Sequence, residues 1–225
     1  VPGREIVLAN NEVYHIFNRS IASQPIFLNK RDYQRALETF FYYQNSLLPT
    51  RYSKFITQAA EIKQKILTEL KDEKSFLVEI IAFCFMPTHF HFLLKQVKDN
   101  GISKFVGNFS NSYTRYFNTK NKRNGPLLQG KFKAVHITTN EQLVHVSRYI
   151  HLNPYTSLII KKVEDLMNYP FSSFPEYLGK SRQSFCQKEL VLSHFKKTNT
   201  YKDFVFNQAD YQRTLDQIKH LVCES

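Results

Sequence analysis

Residues 83–94 read Phe-Cys-Phe-Met-Pro-Thr-His-Phe-His-Phe-Leu-Leu, an almost wholly apolar stretch carrying two histidines two positions apart. Side chains of an extended strand alternate between faces, so His89 and His91 share one face and Phe90 takes the other. Two imidazoles side by side on a strand can hold one divalent ion or one phosphate. They can equally be two satisfied polar residues of a strand surface. Pro87-Thr88 divides the apolar run into two strands, 76–85 and 89–97, which pair as an antiparallel hairpin.

The rest of the chain arranges around this hairpin. Upstream, residues 12–19 (EVYHIFNR) alternate apolar and polar and predict a first strand with a polar end at Asn18-Arg19. His15 within it fits a packed core histidine, or a strand-end group near a site. Asn29 can cap a helix that runs to Gln44, with Leu37, Phe40 and Phe41 as its apolar stripe. Residues 53–72 predict a second helix. Its apolar side holds Phe55, Ile56, Ala59, Ile62, Ile66, Leu67 and Leu70, and its other side is rich in Lys and Glu, so it reads as an insertion or a long crossover extension.

Downstream, residues 101–118 predict a helix, 118–130 a basic loop and 131–138 (KFKAVHIT) a fourth strand. A further helix runs from Glu141 to about Asn153, capped by Asn140 and stopped by Pro154. This order is that of a ferredoxin-like (RRM-like) α+β fold: an antiparallel sheet with helices on one face, here with a helical insertion and a C-terminal extension. Residues 165–179 are aromatic and Pro-rich and predict an irregular wrap. Short helices are expected at 188–195, 199–205 and 207–221.

Thirty-one Lys and Arg against 19 Asp and Glu give a net charge of +12, which draws polyanions. Nucleic acid is the expected partner. An anionic membrane surface fits less well, because no Lys-rich amphipathic anchor is visible. Nor is there an apolar run long enough to span a bilayer, or a signal peptide. The cytoplasm is the expected compartment, with association to the nucleoid when DNA is bound. Cys84, Cys186 and Cys223 lie far apart, which argues against a thiolate metal site or a disulfide framework. From Lys120 to Lys162 the charges are almost all positive. Arg19, Arg115, Tyr116, Arg123, Lys131, Lys133 and Arg148 are the candidate DNA contacts. Tyr113 lies on an apolar stripe and reads as structural.

The helix at 141–153 contains RYIHLNP, Arg148 to Pro154, in which Tyr149 and Asn153 share a face. If this helix lies beside the histidine strand, His89, His91 and Asn153 can converge on one ion. Two imidazoles and an amide oxygen suit Mg²⁺ or Mn²⁺ when a phosphate completes the shell. Tyr149 would then stand over that phosphate as a nucleophile. The plainer alternative is a helix tyrosine packed on the sheet and an Asn that ends the helix before Pro154. His145, one turn before Tyr149, and His136 are candidates for groups that support the site from behind.

Five segments resemble the single-tyrosine HUH transposases, especially the REP-associated tyrosine transposases. His89-Phe90-His91 is the histidine–hydrophobe–histidine motif, and FCFMPTHFHFLL is similar to the family's MP-[N/E]-H-x-H segment. YHIFNRS (14–20), GPLLQGKFKAVHI (125–137), RYIHLNP (148–154) and FSSFPEYLG (171–179) follow in the family's order. The resemblance implies a catalytic domain over residues 11–160, with a helical insertion at about 45–74, and an extension over 161–225. It also implies His89 and His91 as metal ligands, Asn153 in the third-ligand position and Tyr149 as nucleophile. Mg²⁺ or Mn²⁺ would be the cofactor, single-stranded DNA with palindromic hairpins the substrate, a 5′-phosphotyrosine the intermediate and a homodimer the assembly. Leu128 stands where the family usually has Trp, and Lys131 where it usually has Arg, so an altered DNA preference is expected. Two other readings stay open. One is a nonenzymatic single-strand or hairpin binder; the other, which this length hardly supports, is a replication initiator.

Overall fold

The computed structural model describes residues 6–70, 72–181 and 184–214. Strand β1 (Val13–Arg19) is followed by helices α1 (Lys30–Tyr43), α2 (Tyr52–Phe55) and α3 (Ala60–Glu69), then by the hairpin strands β2 (Val78–Met86) and β3 (His89–Gln96). Helix α4 (Gly101–Lys120), strand β4 (Lys133–Ile137) and helix α5 (Asn140–Thr156) complete the series. Short helices α6 (Phe174–Tyr177), α7 (Glu189–Leu192) and α8 (Thr198–Phe206) follow. Among the described residues these strands form one four-stranded sheet in the order β2-β3-β1-β4. The α1–α3 crossover sets β2 parallel to β1 but leaves a gap, which β3 fills by turning back through the hairpin. The result is the antiparallel ferredoxin-like arrangement that the element order predicts.

Contacts divide the chain into two units that interleave along the sequence. One holds the described residues up to Glu79, together with Pro87–His89 and Leu94–His136. The other holds Ile80–Met86, Phe90–Leu93 and the described residues from Ile137 onward.

In the first unit, α1 starts as its sequence dictates. The Asn29 side chain accepts from the Asp32 amide at 3.2 Å, and the Asp32 carboxylate reaches back to the Leu28 amide at 3.2 Å. Phe40 of α1 packs on Phe105 and Phe109 of α4. Tyr113 is structural, as its apolar stripe suggests: its hydroxyl donates to the Ile26 carbonyl at 2.6 Å. Gly101 opens α4 where the backbone passes so close that an added Cβ would lie 2.2 Å from the Leu77 carbonyl oxygen.

The insertion departs from expectation. Instead of one helix over 53–72, the chain breaks into α2 and α3, with extended backbone at Ala59. Tyr52 and Phe55 pack on the Tyr42 ring at 5.2 and 5.0 Å, which pins α2 to α1. Beyond that anchor only Ile66 of α3 is buried; Ile62 and Leu67 are 48% and 45% exposed. Apolar residues at helical spacing marked a helix here but not a buried face.

In the second unit the tail has a defined task. The amide of Phe85 donates to the Phe171 carbonyl at 2.9 Å and the amide of Ser173 to the Phe83 carbonyl at 3.0 Å, so residues 171–173 cover the outer edge of β2. The Tyr169 and Tyr177 hydroxyls donate to the carbonyls of Phe85 and Ile81. Helix α7 falls within the first expected tail helix, and α8 covers the second with one residue more at each end. The end of the third, and Cys223, lie outside the described residues. Among the described residues no helix is long and apolar enough to cross a membrane.

Gly101→Ala is expected to lower stability by about 1–3 kcal/mol, since backbone rather than a flexible side chain must move. Urea unfolding measures it, and an unchanged midpoint would contradict the close approach.

Candidate active site

Helix α5 carries the residues the sequence singled out. Its first turn is capped by Thr139, whose hydroxyl accepts from the Gln142 amide, and not by Asn140 as expected. Threonine takes the extended backbone required of a cap, while Asn140 is already helical. The helix also runs past Pro154 to Thr156. Proline removes one backbone donor, which is tolerable in a last turn, and the Pro154 carbonyl still accepts from the amides of Ile159 and Ile160.

On this helix Tyr149 is half-buried, and its ring meets the edge of the His91 ring at 5.4 Å with an 87° interplanar angle. His91 is 7% exposed and Asn153, one turn on, 3% exposed. The Asn153 amide nitrogen donates to the Tyr149 carbonyl at 3.0 Å. That bond commits the nitrogen and makes Oδ1 the atom the amide can offer a cation. His89 heads β3, half-buried, with Nδ1 2.9 Å from the Thr88 hydroxyl. Among the described residues no group of three or more His, Cys, Asp or Glu side chains could hold a metal. A cation held at these histidines would need a donor of another kind, such as an amide oxygen.

Sequence reasoning missed the group that fixes α5 in place. His151 is fully buried, with Nδ1 2.7 Å from the Tyr201 hydroxyl and Nε2 2.8 Å from Ser173 Oγ. Ser173 Oγ in turn accepts from the Phe83 amide at 2.9 Å, and Tyr201 Oη lies 3.1 Å from Ser147 Oγ. Helix, β2 and tail are thereby tied through one imidazole. The signal was a histidine between Ile150 and Leu152 on an otherwise buried face. Burial pushes the His151 pKa down to about 3, and that of His15, a packed strand histidine, down to about 4.

The remaining candidates fall into separate places. Arg148 lies over the Phe204 ring at 4.3 Å and bonds His145 Nδ1 at 2.9 Å; burial lowers its pKa. His145 also meets Phe204 edge-on. His136 bonds Glu12 at 2.8 Å and stacks on Tyr14. Arg115, Tyr116 and Arg123 line one open cleft of about 1530 Å³, and Lys131 lines another of about 530 Å³ with Asn18 and Leu128. Arg19 and Lys133 are exposed at the end of β1 and the start of β4.

Comparison with known proteins gives a family match over residues 41–153, to the family described as IS200-like transposase. No curated protein matches the chain. Among solved structures, the fold is similar to that of a REP-associated tyrosine transposase bound to a REP hairpin, at 16% identity and a TM-score of 0.48, over 82% of this chain and 90% of that one. It is also similar to a protein described as a transposase of Deinococcus radiodurans R1, at 13% identity and a TM-score of 0.36, over 67% of this chain and 95% of that one.

Unfolded, His15 and His151 titrate near 6.5; folded, they stay neutral down to about 4 and 3. The unfolded chain therefore binds more protons between those values. Stability is fully present above about pH 6.5 and falls as pH drops toward 4, by roughly 2–3 kcal/mol per histidine at pH 4.5. Urea midpoints at pH 4.5 and 7.5 measure this. His151→Gln should remove about one proton's share of the slope, and an undiminished slope would contradict a neutral buried His151.

Proposed function

The chain belongs to the IS200-like transposase family, and on that premise we propose that it cleaves and rejoins single-stranded DNA beside palindromic hairpins through a covalent bond to Tyr149. Membership makes it a transposase, an enzyme that acts on DNA by strand cleavage and transfer. One observation supports the proposed reaction: the Tyr149 ring meets the His91 ring at 5.4 Å within one unit, and Asn153, one turn on along the same helix, donates its nitrogen to the Tyr149 carbonyl.

By the family resemblance, His89 and His91 through ring nitrogens and Asn153 through Oδ1 would hold Mg²⁺ or Mn²⁺. When bound, such an ion polarises the scissile phosphate and takes up charge developing on its oxygens. The chain does the rest. Tyr149 Oη attacks phosphorus in line as the bond to the 3′-oxygen breaks, the tyrosine gives up its proton and the departing oxygen gains one. The 5′-phosphate stays on Tyr149 until a DNA 3′-hydroxyl attacks it and releases the tyrosine. Each exchange conserves a phosphodiester, so no nucleotide is consumed. His151 keeps Tyr149 and Asn153 in register by fixing the helix between them. Dimerisation belongs to the same reading and rests on the family resemblance alone.

A labelled hairpin oligonucleotide with a single-stranded flank should form a denaturant-resistant adduct with the protein in Mn²⁺. Tyr149→Phe should abolish the adduct, and His91→Ala should slow it on the order of 100-fold or more, at least as much as losing a group that supports a ligand. An adduct that survives Tyr149→Phe would overturn the nucleophile's assignment. Absence of any adduct, with metal-independent binding, would favour a nonenzymatic binder.

A further inference from the structure

We propose that Arg19 is a catalytic residue of the strand transfer: its guanidinium binds the non-bridging oxygens of the scissile phosphate beside His89. That a scissile phosphate lies at His89 rests on the reading above; the pairing of Arg19 with His89 does not.

The register of β1 against β3 sets the two residues face to face, and both belong to the first unit. At one end the Ser20 amide donates to the Thr88 carbonyl at 2.8 Å; at the other the Gln96 amide donates to the Glu12 carbonyl at 3.0 Å. In an antiparallel ladder such bonds flank residue pairs that exchange none themselves, here Arg19 with His89 and Val13 with Lys95. The Cα atoms of a pair of this kind stand about 4.5 Å apart, and both side chains leave the sheet on one face. Along that face β1 is half-buried at Val13, buried at His15, half-buried at Phe17 and exposed at Arg19. The arginine thus stands where the packed face opens to solvent.

Its backbone is held and its side chain is not. Asn18 Oδ1 accepts from the Arg19 amide at 2.8 Å, and the Arg19 carbonyl accepts from the Gln129 amide at 2.8 Å. Among the described residues the guanidinium makes no hydrogen bond, ion pair or ring contact. Other arginines are occupied: Arg148 lies over Phe204, and Arg123 bonds Asn118 and the Pro126 carbonyl. Like charges directly opposite each other destabilise a ladder, and His89 turns positive by protonation or by holding a cation. An anion between the two groups reverses that cost. A phosphodiester fits best, since its two non-bridging oxygens match the planar fork of an arginine. In the transfer the bond from Tyr149 Oη to phosphorus forms as the bond to the 3′-oxygen breaks, with negative charge on the non-bridging oxygens throughout. Arg19 donates hydrogen bonds to those oxygens and gives up no proton, because a guanidinium stays charged. A donor held in advance where charge develops lowers the barrier more than it tightens binding.

The test uses the full chain and an oligonucleotide whose cleaved phosphate has been mapped, together with its two phosphorothioate isomers at that phosphate. Adduct formation is timed in Mn²⁺ at saturating DNA, and binding is read by fluorescence anisotropy. A urea midpoint within error of wild type establishes that each variant is folded. On the phosphodiester, Arg19→Ala should form adduct on the order of 100-fold more slowly, with affinity within about threefold of wild type. Arg19→Lys should fall between the two, since it keeps the charge and loses the fork. Sulfur accepts hydrogen bonds poorly. On the isomer with sulfur facing Arg19 the wild type is therefore slowed and the Arg19→Ala deficit shrinks, while on the other isomer the deficit persists. An Arg19→Ala rate within about threefold of wild type would overturn the proposal. So would a loss confined to affinity, or a deficit of equal size on all three substrates. The reading above fails separately. An adduct that survives Tyr149→Phe removes that nucleophile and leaves Arg19 to be judged by the isomers, and a wild type that forms no adduct overturns both.

Discussion

A single neutral imidazole ties helix α5, strand β2 and the tail together. His151 is buried between two hydroxyls, and a neutral ring with one proton satisfies both: it donates to one and accepts from the other. Through Ser173 the bond reaches the backbone of β2, and through Tyr201 it reaches α8 and Ser147. An imidazolium would have to donate on both sides inside a site that excludes water, which is why burial keeps the ring uncharged. Tyr149 and Asn153 lie two residues either side of it on the same helix. The helix that presents Tyr149 to His91 is held by this network.

Much of this was legible in the sequence. The extended run of β1, the hairpin of β2 and β3 around Pro87-Thr88, the Asn29 cap and the apolar stripe of α4 each follow a local rule that the fold then obeys. The pairing of two histidines on one strand face with a tyrosine on a distant helix was legible only as a motif, since no local rule brings 91 and 149 together. The structure supplies the contact of His91 with Tyr149 at 5.4 Å.

What was not legible has physical reasons. Periodicity marks an apolar face without saying what covers it, and so the insertion read as one long helix when it anchors by Tyr52 and Phe55 and leaves Ile62 exposed. A proline rule placed the end of α5 too early, because a last turn can spare the donor that a helix interior cannot. Charge counting found the basic excess but not its layout. Arg148 is spent on Phe204, whereas Arg31 and Arg51, far apart in sequence from the basic loop, join it across the cleft. His151 went unread because a lone histidine shows no partner until Ser173 and Tyr201 are folded beside it.

The proposed strand transfer depends on Tyr149 Oη as the atom that takes the DNA. Proteolysis of the protein–DNA adduct formed in Mn²⁺, followed by mass spectrometry of the nucleotide-bearing peptide, reads that atom directly. The account predicts a 5′-phosphonucleotide on Tyr149 and on no other residue. A nucleotide on Tyr116 or Tyr155, or on a residue other than tyrosine, would contradict it.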